Sequence, residues 1–323
     1  MTISRRSFFS IAGVALSGAA FGLAGGQTAF AADTLPTLKV GYQKAGLLAL
    51  ARRQEAFEKA FAPLGTTVTW VEFASGPPLL EALNAGAVDI GWTGDAPPIF
   101  AQAAGANLVY IGAAPSNGKG EAIIVKEGSL IGSVTDLKGK KIAVTKGSSA
   151  HNLTVAALEK AGVAFADVTP VYLSPADAAA AFSNDSVDAW AIWDPFLALA
   201  ESRAPVRQLT TTAATLEVNT YLLANKSFAD AHPAAVGTIV TALAATADWA
   251  NANRGDVAAA LSEITGVPIG PETVAVERAV YGIFPINDTI VAGQQATADR
   301  FQKLGLIPKP ITVRDIVWSA PKA

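Results

Sequence analysis

The chain has 323 residues, 51% of them apolar and 16% charged, with a formal charge of −3 and no cysteine. Its length exceeds one compact core and predicts two lobes, while the missing cysteine excludes disulfides, thiol catalysis and cysteine metal sites. No basic stripe marks a nucleic-acid surface, and no such partner is expected.

"SRRSFF" (4–9) opens the chain, a mildly apolar Gly/Ala-rich stretch follows, and "AFAAD" (29–33) supplies small residues at signal-peptidase spacing. Arg5-Arg6 ahead of Phe8 and Phe9 resembles a twin-arginine export signal. The alternative is an ordinary Sec signal with two n-region arginines. Residues 1–31 are read as a signal peptide cleaved near Ala31 or Ala32, and the remainder as an exported, periplasmic protein. The apolar stretch is too poor in large side chains for a membrane anchor, so membrane contact is expected only through a partner. Removing Arg5 and Arg6 takes the formal charge from −3 to −5. Such a surface does not steer anions, so any anion site must be local.

"LKVGYQKAG" (38–46) reads as a strand ending in a polar turn before a helix. "VTWVEF" (68–73) is the next strand. It leads through "ASGPP" into the helical stretch "LLEALNAG", then into the strand and turn "VDIGWTGDAPP" (88–98). "EAIIVKEGS" (121–129) reads as the first strand of a second lobe. "KIAVTKGSS" (141–149) then echoes 38–46. "VTPVYL" (168–173), "SPAD", "AAAAFSND" and "VDAWAIWDPF" (187–196) repeat the earlier strand–helix–strand unit at an offset of ninety-nine residues. Ser75 falls on Ser174, Leu83 on Phe182 and Asp95 on Asp194. "NTYLLAN" (219–225) is a strand returning to the first lobe. Amphipathic helices follow over Pro233–Asn253, Pro271–Tyr281 and Asp288–Leu304.

Strands alternating with helices predict an α/β fold with mostly parallel sheets covered on both faces. Two crossings, near 113–121 and 214–219, divide the chain into lobe 1 (33–115 and 219–323) and lobe 2 (116–218). In such sheets ligands bind outside the carboxyl ends of the strands, beside helix starts. That criterion selects Gln43, the turn Thr93-Gly94-Asp95, and Trp193-Asp194. The turn "KGSSAH" (146–151) offers the hydroxyls of Ser148 and Ser149 and free amides at a helix start, an anion site without a formal cation. Ser75 and Gly76 form a second start of this kind, and His151, one turn into the helix opened by Ser149, is a candidate to face the cleft. Each serine has helix capping as its alternative role. Asp95 and Asp194 disfavour direct contact with an anion. They can cap helices, orient a donor, or pair with an amine on the ligand. No G-x-S-x-G elbow, phosphate loop or dinucleotide motif is present, and the two histidines lie in unrelated contexts. No enzyme, cofactor or metal is expected.

These pieces, "VGYQKAG", "EFASGPPLLEALNAGAVDIGWTGDAPPIFAQAAG", "DLKGKKIAVTKGSSAHNL", "PVYLSPADAAAAF", "VDAWAIWDPF" and "LGLIPKPITVRD", together resemble the aliphatic sulfonate-binding proteins of ABC importers over nearly the whole mature chain. The resemblance implies a type II periplasmic binding protein fold with two α/β lobes and a two-crossing hinge. It also implies an alkanesulfonate ligand and delivery to an ABC permease. Carried over by position, the site comprises Gln43, Thr93-Gly94-Asp95, Ser148-Ser149 and Trp193-Asp194. Two departures touch the pocket. The family commonly has Glu where this chain has Asp95, and an aromatic ring is commonly found where this chain reads Ala150-His151-Asn152. Taurine, a sulfate ester, nitrate and a thiamine-precursor pyrimidine are rival ligands on the same scaffold. An exported hydrolase is the rival from another class.

Overall fold

The computed structural model describes residues 35–320; the expected signal peptide lies outside them. The first run of elements is β1 (Thr37–Tyr42), α1 (Gly46–Arg53), α2 (Ala56–Phe61), β2 (Thr67–Glu72), α3 (Gly76–Asn84), β3 (Ile90–Thr93), α4 (Ala96–Ala103) and β4 (Leu108–Pro115). The chain then builds β5 (Glu121–Lys126), β6 (Lys141–Val144), α5 (Ser149–Lys160), β7 (Thr169–Tyr172), α6 (Pro175–Ser183), β8 (Ala189–Trp193), α7 (Phe196–Arg203), β9 (Val206–Thr211) and α8 (Thr212–Thr215). It returns through β10 (Asn219–Asn225). Helices α9 (Lys226–Ala231), α10 (Pro233–Ala252), α11 (Arg254–Thr265), α12 (Ile269–Arg278) and α13 (Asp288–Lys303) follow.

Two five-stranded sheets result, ordered β2-β1-β3-β10-β4 and β7-β6-β8-β5-β9. In each, three strands are parallel and the last two run antiparallel to their neighbours. The ninety-nine-residue echo is therefore structural. Units β2-α3-β3 and β7-α6-β8 occupy equivalent places, and Ser75 and Ser174 are the N-caps of α3 and α6. Strand sequences such as "EAIIVK" and "AWAIW" are buried almost without interruption, as expected for sheets covered on both faces. Two apolar clusters pack on the two sides of each sheet.

The two crossings lie side by side. Ser116 N–H donates to Val218 O at 3.0 Å and Ala213 N–H to Gly118 O at 3.0 Å. Gly118 has φ +66°, and a Cβ there would sit 2.3 Å from the Ala213 nitrogen, so only glycine fits. Helices from beyond β10 lean across onto the second sheet's lobe. Arg278 of α12 reaches Asp194 and Glu201, and Arg300 of α13 donates to Glu159 at 2.9 Å. The exposed edge of β4 is covered by bridges from Phe284 and Val317. Among the described residues no helix is long and apolar enough to cross a membrane.

Candidate functional site

A cavity of about 280 Å³ lies where the carboxyl ends of β1 and β3 face the ends of β8 and the start of α5. Of the residues expected there, Gln43, Gly76, Thr93, Gly94, Asp95, Ser148, Ser149, Trp193 and Asp194 line it. Ser75 and His151 do not.

The two halves touch at the cavity wall. A Cβ on Gly94 would lie 2.9 Å from the Ser149 Cβ, so a side chain at 94 would push the lobes apart. Beside it Asp95 is buried. Its Oδ1 accepts from Ala96 N–H at 2.8 Å and its Oδ2 from Asn152 Nδ2, across the cleft, at 2.5 Å. Gln294 of α13 donates to the Asp95 carbonyl at 2.6 Å. Burial raises the Asp95 carboxyl to about 6 against the donors that favour its charge. Asp95 thus both caps α4 and orients a donor, two of the roles left open by its sequence position.

Asp194 occupies the equivalent turn with different partners. Its Oδ1 accepts from Ala198 N–H at 3.0 Å and lies 3.5 Å from Arg278 Nη1. Its Oδ2 is buried with no hydrogen-bond partner among the described residues. Burial raises its carboxyl to about 6, opposed mainly by the Arg278 charge. Gln43 donates to Trp92 O at 3.1 Å, and Lys44 turns outward to Glu72.

The two serines divide their work. Ser148 donates to Thr145 O at 2.7 Å and accepts from His151 N–H, which makes it the α5 cap. Ser149 donates instead to Glu121 Oε1 at 2.6 Å. His151 corrects the expectation that it faces the cleft. Two residues on from Ser149 is roughly 200° around the helix, so the imidazole points to the far side. There it is buried among Phe100, Phe165, Tyr172 and Phe301, with Nδ1 accepting from Gly147 N–H at 3.2 Å. Desolvation, aided by the Lys146 charge, lowers it to about 4. The Ser75 side chain is buried behind the wall, which Gly76 reaches alone.

Sequence reasoning missed two charged groups. Arg278, the only cationic side chain among the described residues that line the cavity, comes from α12 and brings a formal cation that the sequence reading did not count. Glu121, first residue of β5, is buried on the lining; Ser149 Oγ and Thr212 Oγ1 each donate to it at 2.6 Å. Burial, then the nearby Asp95 charge, pushes its carboxyl to about 7. "EAIIVK" gave a strand, but no local signal marked its first residue. Three carboxyls therefore share a mostly apolar chamber with one guanidinium. No group of acidic and histidine side chains among the described residues is arranged to hold a metal.

Residues 61–255 match the family described as NMT1/THI5 like. An aliphatic sulfonates-binding protein of Escherichia coli strain K12 is 41% identical over 293 residues, 90% of this chain and 91% of that relative. The crystal structure of the periplasmic aliphatic sulphonate binding protein SsuA from Escherichia coli matches with a TM-score of 0.81 and 40% identity, over 89% of this chain and 94% of that one. The alkanesulfonate-binding protein SsuA from Xanthomonas axonopodis pv. citri, bound to MOPS, matches with a TM-score of 0.83 and 40% identity, over 88% and 98%. With two α/β lobes around a cavity at facing strand ends, this chain belongs to the NMT1/THI5-like family and, within it, to the aliphatic sulfonate-binding proteins.

Proposed function

We propose that this protein captures an alkanesulfonate between lobe 1 (33–115 and 219–323) and lobe 2 (116–218) and delivers it to an ABC import permease. The proposed site is Gln43, Gly76, Thr93, Gly94, Asp95, Ser149, Trp193 and Asp194, joined by Arg278, with Glu121 holding Ser149. The observation that carries the reading is the small cavity lined together by a helix start, a guanidinium and Trp193. A sulfonate is a permanent monoanion with three acceptor oxygens. Each charge-assisted hydrogen bond contributes roughly 1.5–3 kcal/mol, and micromolar capture needs about −8 kcal/mol. A few such bonds with a short tail against Trp193 suffice. The likeness to a sulfonate-binding protein crystallised with MOPS supports the same chemistry.

The chain acts as a binding protein without catalysis, and it is exported to the periplasm by the twin-arginine route. Titration with ethanesulfonate, octanesulfonate, taurine, sulfate and nitrate, read by tryptophan emission and melting temperature, tests the reading. A micromolar response to a sulfonate and none to sulfate is expected. Silence from every sulfonate refutes it. The unpartnered Asp194 Oδ2 favours a second reading, an amine-bearing sulfonate such as taurine. In that case Asp194→Asn weakens taurine far more than ethanesulfonate, and equal losses reject it.

A further inference from the structure

Glu121 creates a problem of donor supply. A hydroxyl has one proton to give. In this structure Ser149 gives its proton to Glu121 Oε1, and Thr212 gives its proton to Oε2. At the same helix start Ser148 is spent on capping. An anion arriving at this wall therefore meets the lone pairs of Ser149 Oγ, backed by an ionised carboxylate. Asp95, Glu121 and Asp194 already outnumber Arg278 around the cavity. Adding a permanent negative charge to that set is unfavourable unless one of the charges is removed.

We propose that Glu121 makes sulfonate capture proton-coupled: the ligand enters together with one proton, which is taken from water and settles on Glu121. The inference rests on the sulfonate reading above. The balance is simple. Glu121 carboxylate and one proton give the carboxylic acid, whose new O–H donates to Ser149 Oγ. The Ser149 hydroxyl turns to donate to a sulfonate oxygen, and Thr212 remains a donor to Glu121. The net charge brought into the cavity is zero. Glu121 is a positioning residue, since it acts on the ligand through Ser149.

The groups facing Glu121 are few. From the β3–α4 turn comes the Asp95 charge, and α5 and α8 present the Ser149 and Thr212 hydroxyls; Asp194 at the end of β8 and Arg278 of α12 share the cavity lining. Of the other titratable groups near the start of α5, His151 is on the far side of the helix and Lys146 lies over the Tyr172 ring. Burial already holds the Glu121 carboxyl at about 7, so a proton is available to it at modest cost near neutrality. Asp95 and Asp194 titrate lower, at about 6; Glu272 of α12, raised by burial and then by the Asp194 charge, reaches about 7 like Glu121, so the Glu121→Gln comparison is what assigns the proton above pH 7.

The test is calorimetric titration of the ligand-free protein with ethanesulfonate in phosphate and in Tris buffer, between about pH 5.5 and 8.5. Sulfonate-bearing buffers are avoided because they compete. A sulfonate does not titrate in this range, so any buffer-dependent heat reports protons on the protein. The expected result is uptake approaching one proton per ligand above pH 8, fading toward zero near pH 5.5. The dissociation constant then rises about tenfold per pH unit above about 7. Glu121→Gln, whose amide donates to Ser149 permanently, is expected to bind with a flat profile close to the wild-type affinity at low pH. Ser149→Ala loses the uptake as well. Binding of ethanesulfonate with no proton uptake above pH 8 overturns the coupling while leaving the sulfonate reading intact, and so does an unchanged pH slope in Glu121→Gln. If no sulfonate binds at any pH, the sulfonate reading and this inference fall together.

Discussion

Asn152 belongs to lobe 2, yet its best partner is Asp95 in lobe 1, and Asn152→Ala tests whether that contact holds the clamshell shut. The Asn152 amide donates to Asp95 Oδ2 at 2.5 Å in a fully buried setting. Its carbonyl lies 3.4 Å from Arg300 Nη1, which ties the pair to α13. A hydrogen bond to a charged group contributes about 1.5–3 kcal/mol, and removing one partner leaves the other buried and unpaired. When the lobes separate both groups meet water, so the loss falls on the closed state alone. At about 1.4 kcal/mol per decade this predicts ethanesulfonate affinity weakened roughly tenfold to hundredfold. The assay is calorimetric titration at pH 8, where Asp95 is ionised, with melting of the ligand-free protein measured in parallel. Affinity within twofold of the wild type refutes the reasoning. So does a fall in ligand-free stability large enough to account for the weaker binding.

Three further outcomes are expected. Gly118→Ala places a Cβ 2.3 Å from the Ala213 nitrogen at a positive-φ position, and is expected to cost about 2 kcal/mol and lower Tm by roughly 4–8 °C. His151, lowered from 6.5 to about 4 by burial, supports the fold fully above pH 6.5, and that support is lost as pH falls toward 4. The cost is roughly 3 kcal/mol, so His151→Phe should gain on the wild type by about that much in urea melts between pH 6.5 and 4. Asp95, Asp194 and Glu121, raised to about 6, 6 and 7, act in the opposite sense in both proteins and cancel in the difference. Arg278→Ala removes the cation of the cavity and is expected to weaken ethanesulfonate at least about tenfold by calorimetry. Unchanged affinity would assign Arg278 to clamping Asp194 and Glu201 alone.

The sequence exposed those parts of the fold that are local. Helices α3 and α6 have the same length and are followed by loops of the same length before β3 and β8, so Ser75 and Ser174, and Asp95 and Asp194, kept their ninety-nine-residue offset. Strand ends were legible for the same reason, which placed Gln43, Thr93 and Trp193 on the cavity wall. Partnership was not legible. Asp95 and Asp194 occupy one position of the repeat, yet the first meets Asn152 across the cleft and the second meets Arg278 from α12. Glu121 and Arg278 reach the cavity from segments with no motif of their own, carried there by the hinge and by the C-terminal helices. His151 illustrates a readable signal passed over: helical spacing from Ser149 already turned it away from the cleft.

The position of β10 has a consequence for how the molecule is made. The second sheet draws all its strands from one continuous stretch, 121–211, whereas the first needs β10 between β3 and β4. As the chain emerges from the ribosome, the later-encoded sheet is the first that can be completed. The earlier one waits with a gap in its middle, its strands β3 and β4 unable to pair with each other. Contacts of such sequence separation are slow to form. Maturation of the whole is therefore paced by a single late strand, and a chain cut short before residue 219 leaves one finished half attached to one that cannot close.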